Sequence, residues 1–296
     1  MDDDAWLWLA EQFESHRNRL RAVAHRMLGS FAEADDAVQE AWLRIRHSDP
    51  SGVENVGGWL TTIVARVALD MLRSRKARRE EPLDAHELDG MSNGHGLDPQ
   101  QEAELADSVG LALLVVLDRL APAERVAFVL HNLFAVPFDE IAPIVGRSPA
   151  ATRQLASRAR RRIQGSPAVP HQDLARQREV VDAFLSAARA GDLNGLVAVF
   201  DPDVVLHADH PAAPTGTRTE IRGAQRVAER ALVFSDMARY AQQALVNGAV
   251  GLVVAPRGRL LRALCFTITH QKIAAIEIVT DPVRLDQLEL GVLATP

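Results

Sequence analysis

The sequence predicts a multidomain chain: two all-α blocks followed by an α+β domain with helices packed on a curved sheet. Three observations carry that prediction. At 296 residues the chain is too long for one ordinary domain. Apolar residues recur at helical spacing up to about residue 166, then give way to alternating, β-rich runs beyond a Pro-bearing break at Ser166–Pro170. Charge is segregated as well. The net charge is −6, yet basic residues crowd into Arg73–Arg79 and Arg147–Arg162, while Glu80–Asp107 holds acids and no Lys or Arg. Local charge decides what a surface attracts, so two basic stretches on an acidic chain point to a polyanionic partner.

The first block covers residues 1–80. Leu9, Phe13, Leu20, Ala24 and Met27 recur at near-helical spacing, and Gly29 ends the run. Ser30 and Glu33 then form an S-x-x-E capping box. The next helix sets Ala34, Ala37, Val38, Ala41, Trp42 and Ile45 on one side and leaves Asp35, Asp36 and Glu40 outside. After a Pro/Ser/Gly loop comes a third helix, with Leu60, Ile63, Val64, Val67, Met71 and Leu72 as its buried stripe. Arg66, Asp70 and Arg73 make an exposed ladder on it, and Asp70 can pair with either arginine. Arg73, Arg75, Lys76, Arg78 and Arg79 exceed what a helix C-terminus needs. With Trp59 at the start of the helix, they fit a phosphate track with an aromatic beside it.

Residues 81–107 are acidic, rich in Gly and Pro where the stretch begins, and read as a flexible linker. A second helical block, 108–166, ends in the segment FDEIAPIVGRSPAATRQLASRARRRI. Gly146 can take the left-handed conformation that closes a helix, Ser148 is a good N-cap, and Pro149 suits the first helical position. Leu155, Ala159 and Ile163 form an apolar stripe, with Arg153, Ser157, Arg160 and Arg161 on the opposite face. A helix anchored on one face and basic on the other, entered through a tight turn, suits a DNA major groove. Pro143 lies inside the preceding short helix, near enough to its end that the lost hydrogen bond is cheap.

Beyond a short linker, 167–174, residues 175–296 form the α+β domain. Val180, Val181, Phe184, Leu185 and Ala188 belong to one helix, Leu193–Phe200 to a second, and DVVLHADH is an alternating strand. Gly223–Met237 is helical again. Four β-rich runs follow, Tyr240–Val246, Ala249–Pro256, Arg259–Thr269 and Lys272–Thr280, as an antiparallel meander. Cys265 is the only cysteine, which excludes an intrachain disulfide and a cysteine-based metal site. The start, MDDDAW, lacks a basic n-region, and the longest apolar run, Leu111–Leu117, falls short of a membrane span. A cytoplasmic protein with no membrane partner is expected.

FAEADDAVQEAWLRIR followed by GGWLTTIVARVALDMLRSRKARRE resembles region two of the extracytoplasmic-function (ECF) sigma factors of bacterial RNA polymerase. LDRLAPAERVAFVLHNLFAVPFDEIAPIVGRSPAATRQLASRARRRI resembles region four of the same family throughout its length. EVVDAFLSAARAGDLNGLVAVFDPDVVLHADH resembles the opening of the SnoaL-like, cone-shaped α+β fold, which a subset of these factors carries at this place. Val67 stands where many members have Asn, and Ala208-Asp209-His210-Pro211 stand where some have a glycine-rich turn.

The resemblance implies a binding protein with no active site, metal or cofactor, whose partners are the RNA polymerase core and promoter DNA. It implies polymerase docking through Asp35, Asp36, Gln39, Glu40 and Leu43. It places Trp59, Thr62, Arg66, Asp70 and Arg73, with Arg75 and Lys76 beyond them, on the helix that opens the minus-ten element. Thr152, Arg153, Gln154, Ser157 and Arg158 become candidates for reading the minus-thirty-five element; Arg161 suits phosphates, and Arg147 either role. The C-terminal domain is then expected to regulate the sigma core, through a small-molecule ligand or an intramolecular contact. Two rival readings are a helix-turn-helix regulator acting without polymerase, and a SnoaL-like isomerase or cyclase with a DNA-binding appendage. The second would draw acid–base groups from His207, Asp209, His210, Asp236 and His270.

Overall fold

The computed structural model describes residues 3–46, 48, 52–79, 108–209, 218–233, 235–256 and 259–293. The expected linker at 81–107, the side chains of Arg78 and Arg79, and His210 lie outside the described residues. These fall into two compact units. The first comprises the N-terminal helices up to residue 79 and Leu117–Arg160; the second takes 108–116 and the chain from Arg161 onward.

In the first unit, helices α1 (Asp3–Leu28), α2 (Phe31–Ile45) and α3 (Val56–Arg79) pack on one another. Leu9, Phe13, Leu20, Val23, Ala24 and Met27 of α1 are buried, as are Ala34, Ala37, Val38, Ala41 and Ile45 of α2. Burying one such Leu or Phe contributes roughly 1.5–3 kcal/mol. The Trp42 ring lies 5.0 Å from Trp6 and 4.8 Å from Phe13, closing the end of this bundle. Gly29, at φ 80°, ends α1 as expected. Only half of the capping box forms: Ser30 Oγ accepts the Glu33 N–H at 3.5 Å, while the Glu33 carboxylate turns instead to Arg75.

Helix α3 departs from the single stripe its spacing predicts. Ala65, Ala68 and Leu69 are buried alongside Leu60, Val64 and Val67, whereas Ile63 and Met71 are half-buried. The reason is that α3 has neighbours on two sides. It packs on α1 and α2, and also on α5 (Pro122–Phe128) and α6 (Phe138–Val145) from the second helical block. Helix α4 (Ser108–Asp118) is buried over most of its length from residue 111 on, as its unbroken apolar run demands. A π-helical turn, Val129–Leu133, follows α5, and Ala135 at φ 57° redirects the chain into α6. This irregular turn has no signature in the sequence. His131 Nδ1 lies 3.1 Å from the Val136 carbonyl, and its ring stacks on Phe138 at 3.8 Å.

Gly146 adopts φ 69°, ψ 44° and closes α6 as read from the sequence. Helix α7 (Pro149–Gln164) follows, with the Ala151 N–H donating to Ser148 Oγ at 3.3 Å. Pro143 sits on the exposed side of α6.

The second unit is a mixed sheet with its main helical layer on one face, while Leu285 of a short C-terminal helix packs on Ala263 and Val279 of the other. Helix α8 (His171–Ala190) ends at Gly191, φ 67°, and the Asp192 side chain caps α9 (Leu193–Val199) through the Gly195 N–H at 2.9 Å. Then come β1 (Phe200–Asp209), β2 (Arg218–Arg222), α10 (Ala224–Leu232), α11 (Ser235–Ala238) and the strands β3 (Ala241–Val246), β4 (Ala249–Val254), β5 (Arg262–Thr269) and β6 (Lys272–Val279). Helix α12 (Pro282–Gln287) and a two-residue β7 (Leu290–Gly291) finish it. The seven strands run in the order β2-β1-β6-β5-β4-β3-β7. The meander from β3 to β6 is antiparallel as expected, but β1 joins β6 in parallel, so the sheet is mixed. Val181, Phe184 and Leu196 pack on the face formed by Leu206, Leu252, Phe266 and Ile276.

The end of α7 is bound to this sheet. The Val292 N–H donates to the Ile163 carbonyl at 2.7 Å, and the Ala168 N–H to the Gly248 carbonyl at 2.9 Å. No helix among the described residues is long and apolar enough to cross a membrane.

The backbone approach at Gly165 and Gly291 gives a test. A Cβ at Gly291 would lie 2.8 Å from the Gly165 Cα and 3.0 Å from its nitrogen. Gly291→Ala is expected to lower the stability of the second unit by about 1–3 kcal/mol in urea unfolding. Gly52→Ala, with nothing within 4 Å, should change stability by less than about 0.5 kcal/mol.

Candidate nucleic-acid interface

Two helical faces carry the predicted contacts. On α7, Arg153, Gln154, Ser157, Arg158, Arg160, Arg161 and Arg162 are exposed, and Arg147 is exposed in the turn before it. The Arg153 guanidinium lies 5.3 Å from the centre of the Phe138 ring, which holds its stem against α6 while its donors remain outward. Thr152 is different. It is fully buried, and its hydroxyl donates to the Ser148 carbonyl at 2.9 Å. Residues 152, 156, 159 and 163 follow at i, i+4, i+7 and i+11, so Thr152 shares the anchored face with Ala156, Ala159 and Ile163. It is therefore withdrawn from the base-reading set.

On α3, Trp59, Thr62, Arg66, Asp70, Arg73 and Lys76 share one face by spacing; Arg66, Asp70, Arg73 and Lys76 are exposed, Trp59 and Thr62 half-buried. The loop before it is organised by Asn55, whose Oδ1 accepts the Gly58 N–H at 3.0 Å. Thr61 and Thr62 bond back to Gly57 and Gly58 at 2.7 and 3.0 Å, tightening the first turn. Asp70 pairs with Arg73 at 3.9 Å and, unexpectedly, with Arg44 of α2 at 3.4 Å; these exposed pairs contribute little to stability. Val67 is buried, on the packed side of α3.

Arg75 does not belong to the exposed track. It lies roughly 200° around the helix from Arg73, and its side chain is only 24% exposed. Its guanidinium donates to the Leu28 carbonyl at 3.3 Å, contacts the Glu33 carboxylate and lies 3.8 Å from Asp118. Spacing alone could have shown this, because a run of cations on a helix never shares one face.

The docking candidates on α2 remain outside. Asp35 pairs with Arg21 at 2.8 Å, Glu40 with Arg44 at 3.0 Å, and Asp36, Gln39 and Leu43 are exposed. A cavity of about 410 Å³ lies in the same unit, lined by Gln12, His16, Asn55 and Thr61 together with Phe134 and Glu140. Because it is assembled from both helical blocks, neither block alone discloses it.

In the second unit the described acid–base candidates take separate partners and positions. His207 on β1 faces Glu220 on β2 at 3.7 Å, and His270 is exposed in the β5–β6 hairpin at φ 51°. Asp236 starts α11, away from both in sequence and topology. The Asp209 carboxylate accepts the Thr280 N–H at 2.6 Å, the Asp281 N–H at 3.2 Å and Arg284 at 2.9 Å, and also contacts the Thr280 hydroxyl. Burial disfavours its charge, but these donors outweigh burial and hold the carboxyl below its ordinary range. A carboxylate so engaged ties β1 to α12. Cys265, paired in register with Glu277, is no nucleophile either: burial, then the Glu277 charge, pushes its thiol up to about 11.

Comparison with known proteins completes the picture. The family model for Sigma-70 region 2 matches residues 12–78, and that for Sigma-70 region 4 matches residues 110–163. The chain is 38% identical over 288 residues to the ECF RNA polymerase sigma factor SigJ of Mycobacterium tuberculosis, covering 92% of this chain and 91% of that one. It is 37% identical over 283 residues to the probable ECF RNA polymerase sigma factor SigI of that organism, covering 94% and 96%. The crystal structure of M. tuberculosis SigJ aligns with a TM-score of 0.45 at 34% identity, over 93% of this chain and 98% of that one.

Asp209 supplies a pH test. A carboxyl with a lowered folded pKa contributes stability above its unfolded value, near 3.9, and loses it as pH falls through the folded value. Asp209→Asn should therefore cost about 1–3 kcal/mol at neutral pH. The difference from the unaltered protein should shrink below about pH 4 in a series of thermal melts.

Proposed function

Because this chain belongs to the ECF family of RNA polymerase sigma factors, we propose a division of its surfaces for promoter-specific initiation. The protein is a specificity subunit and not an enzyme: the polymerase core supplies catalysis, and this chain directs it to promoters. Residues 1–80 act as region two and 108–166 as region four, joined by 81–107. Residues 167–174 lead into a regulatory domain at 175–296. We place the protein in the cytoplasm, where polymerase and promoter are.

One observation carries the residue-level reading. The exposed cations of α3 and those of α7 each lie on the side of their helix opposite the buried face. Arg66, Arg73 and Lys76 then follow the phosphates of the minus-ten element, with Trp59 and Thr62 beside the strand being opened. Arg153, Gln154, Ser157 and Arg158 address base edges of the minus-thirty-five element, and Arg161 and Arg147 its backbone. Asp35, Asp36, Gln39, Glu40 and Leu43 form an acidic patch with one apolar residue, suited to a basic and apolar surface of the polymerase. The C-terminal domain regulates this core by contact or by a small ligand. The saturated Asp209 and the dispersed His207 and His270 speak against catalysis there.

Run-off transcription with purified core polymerase tests the reading; no promoter-specific initiation by the full chain on any genomic template would overturn it. Arg153→Ala is expected to change the preference among minus-thirty-five sequences. Arg161→Ala should weaken binding uniformly and reduce the salt slope by about one. Equal losses on every sequence from both variants would remove the distinction between base-reading and phosphate-contacting residues.

A further inference from the structure

The π-helical turn at Val129–Leu133 stands beside α7, and two of its side chains lead to arginines on the outer side of that helix. The His131 ring stacks on Phe138 at 3.8 Å, and the Arg153 guanidinium lies 5.3 Å from the centre of the same Phe138 ring. Asn132, next in the chain, holds Arg160. With its amide oriented to suit both partners, the Asn132 side-chain oxygen accepts from Arg160 Nε at 3.2 Å and also from Nη2. Arg153 and Arg160 are seven residues apart and both exposed, so they share one side of α7, about 10 Å apart along its axis. We propose that this turn is a positioning bracket for DNA recognition: Phe138, backed by His131, aims Arg153, and Asn132 aims Arg160, which thereby joins the DNA-contacting set. This inference rests on the reading of α7 as the minus-thirty-five helix.

The chemistry of the two holders fits that role. An aromatic face and an amide oxygen fix a guanidinium without neutralising it, and each leaves N–H donors for phosphates or base edges. A carboxylate would offset the charge, as Asp70 does for Arg44 in the first helical block. Holding matters because a long side chain loses rotamer freedom on binding, and one ordered beforehand loses less. The bracket is itself secured. The Val136 N–H donates to the Leu130 carbonyl at 2.9 Å, and the Val136 carbonyl lies 3.1 Å from His131 Nδ1, which carries the hydrogen for that contact. Ala135, at φ 57°, turns the chain tightly enough for both. A π-helical turn is an uncommon feature that recurs at functional sites, and here it sets the direction of two cations.

The test uses holoenzyme formed from the full chain and core polymerase, on a promoter from which it initiates, with the minus-thirty-five element varied one base at a time. Arg153→Ala gives the reference change in sequence preference, and Arg160→Ala the reference loss of affinity. Phe138→Leu should reduce discrimination between the preferred element and its single-base variants by roughly 3–5-fold. Phe138→Tyr, which restores the ring, should return it to within about twofold of the parent. In an Arg153→Ala background Phe138→Leu should add nothing, since the ring then has no cation to aim. Asn132→Ala should weaken promoter binding roughly 2–4-fold, and that loss should vanish in an Arg160→Ala background. Circular dichroism establishes that each variant is folded. The bracket is overturned by a folded Phe138→Leu with unchanged discrimination, or by a loss that adds to that of Arg153→Ala. Should Phe138→Leu not fold, Asn132 decides: a loss that persists undiminished without Arg160 overturns the bracket. If Arg153→Ala leaves the preference as it was, the reading of α7 fails and takes the bracket with it. A preference altered by Arg153→Ala but not by Phe138→Leu strikes the bracket alone.

Discussion

An α-helix ends with carbonyls that lack donors, and the end of α1 is where the first unit is tied together. Gly29 turns the chain away, leaving Met27 and Leu28 to be satisfied from elsewhere. Arg125 and Arg75 supply the donors, one from each helical block. Because cations are favoured at a helix C-terminus, one small site attracts both arginines, and Asp118 and Glu33 together supply the opposing charges. The two-sided burial of α3 follows. With α5 and α6 drawn in beside it, Ala65, Ala68 and Leu69 become interior, and only the face through Arg66, Arg73 and Lys76 is left exposed.

The same logic separates residues that hold α7 from residues that can touch DNA. A short polar side chain on the anchored side satisfies itself against the backbone one turn back, as Thr152 does with Ser148. Arginines on the other side have long apolar stems that can lie on a neighbour while the head remains wet, as Arg153 does over Phe138. Burial of the small residues and exposure of the long ones therefore produce the basic face without any dedicated feature.

Much of this was legible in the residues. The helix-closing glycines at 29, 146 and 191, the Ser148 cap and the meander from β3 to β6 are local, and local chemistry determines them. What could not be read depended on distant partners. Arg75 looked like one more cation in a basic run until its contacts at Leu28, Glu33 and Asp118 were known. The parallel pairing of β1 with β6 needs the whole intervening chain to be placed. Strand β2 alternates charged residues with Thr and Ile at a sheet edge, so it gives no apolar signal. Helix α12 was missed despite a signal, since Asp281 followed by Pro282 is a good helix start and Asp281 Oδ1 does accept the Arg284 N–H at 2.9 Å. Asp209, an acid among histidines, offers itself as an acid–base group only under the isomerase reading; its four donors make it a fastener.

The bond from Val292 to the Ile163 carbonyl bears on how such chains can be recombined. A cut after residue 166 leaves the tail of α7 without the strand end that completes it. It also leaves the Val292 N–H, just past β7, unmatched beside a glycine that had no room for a side chain. A domain transplanted at that joint must therefore bring its own partner for the last turn of α7.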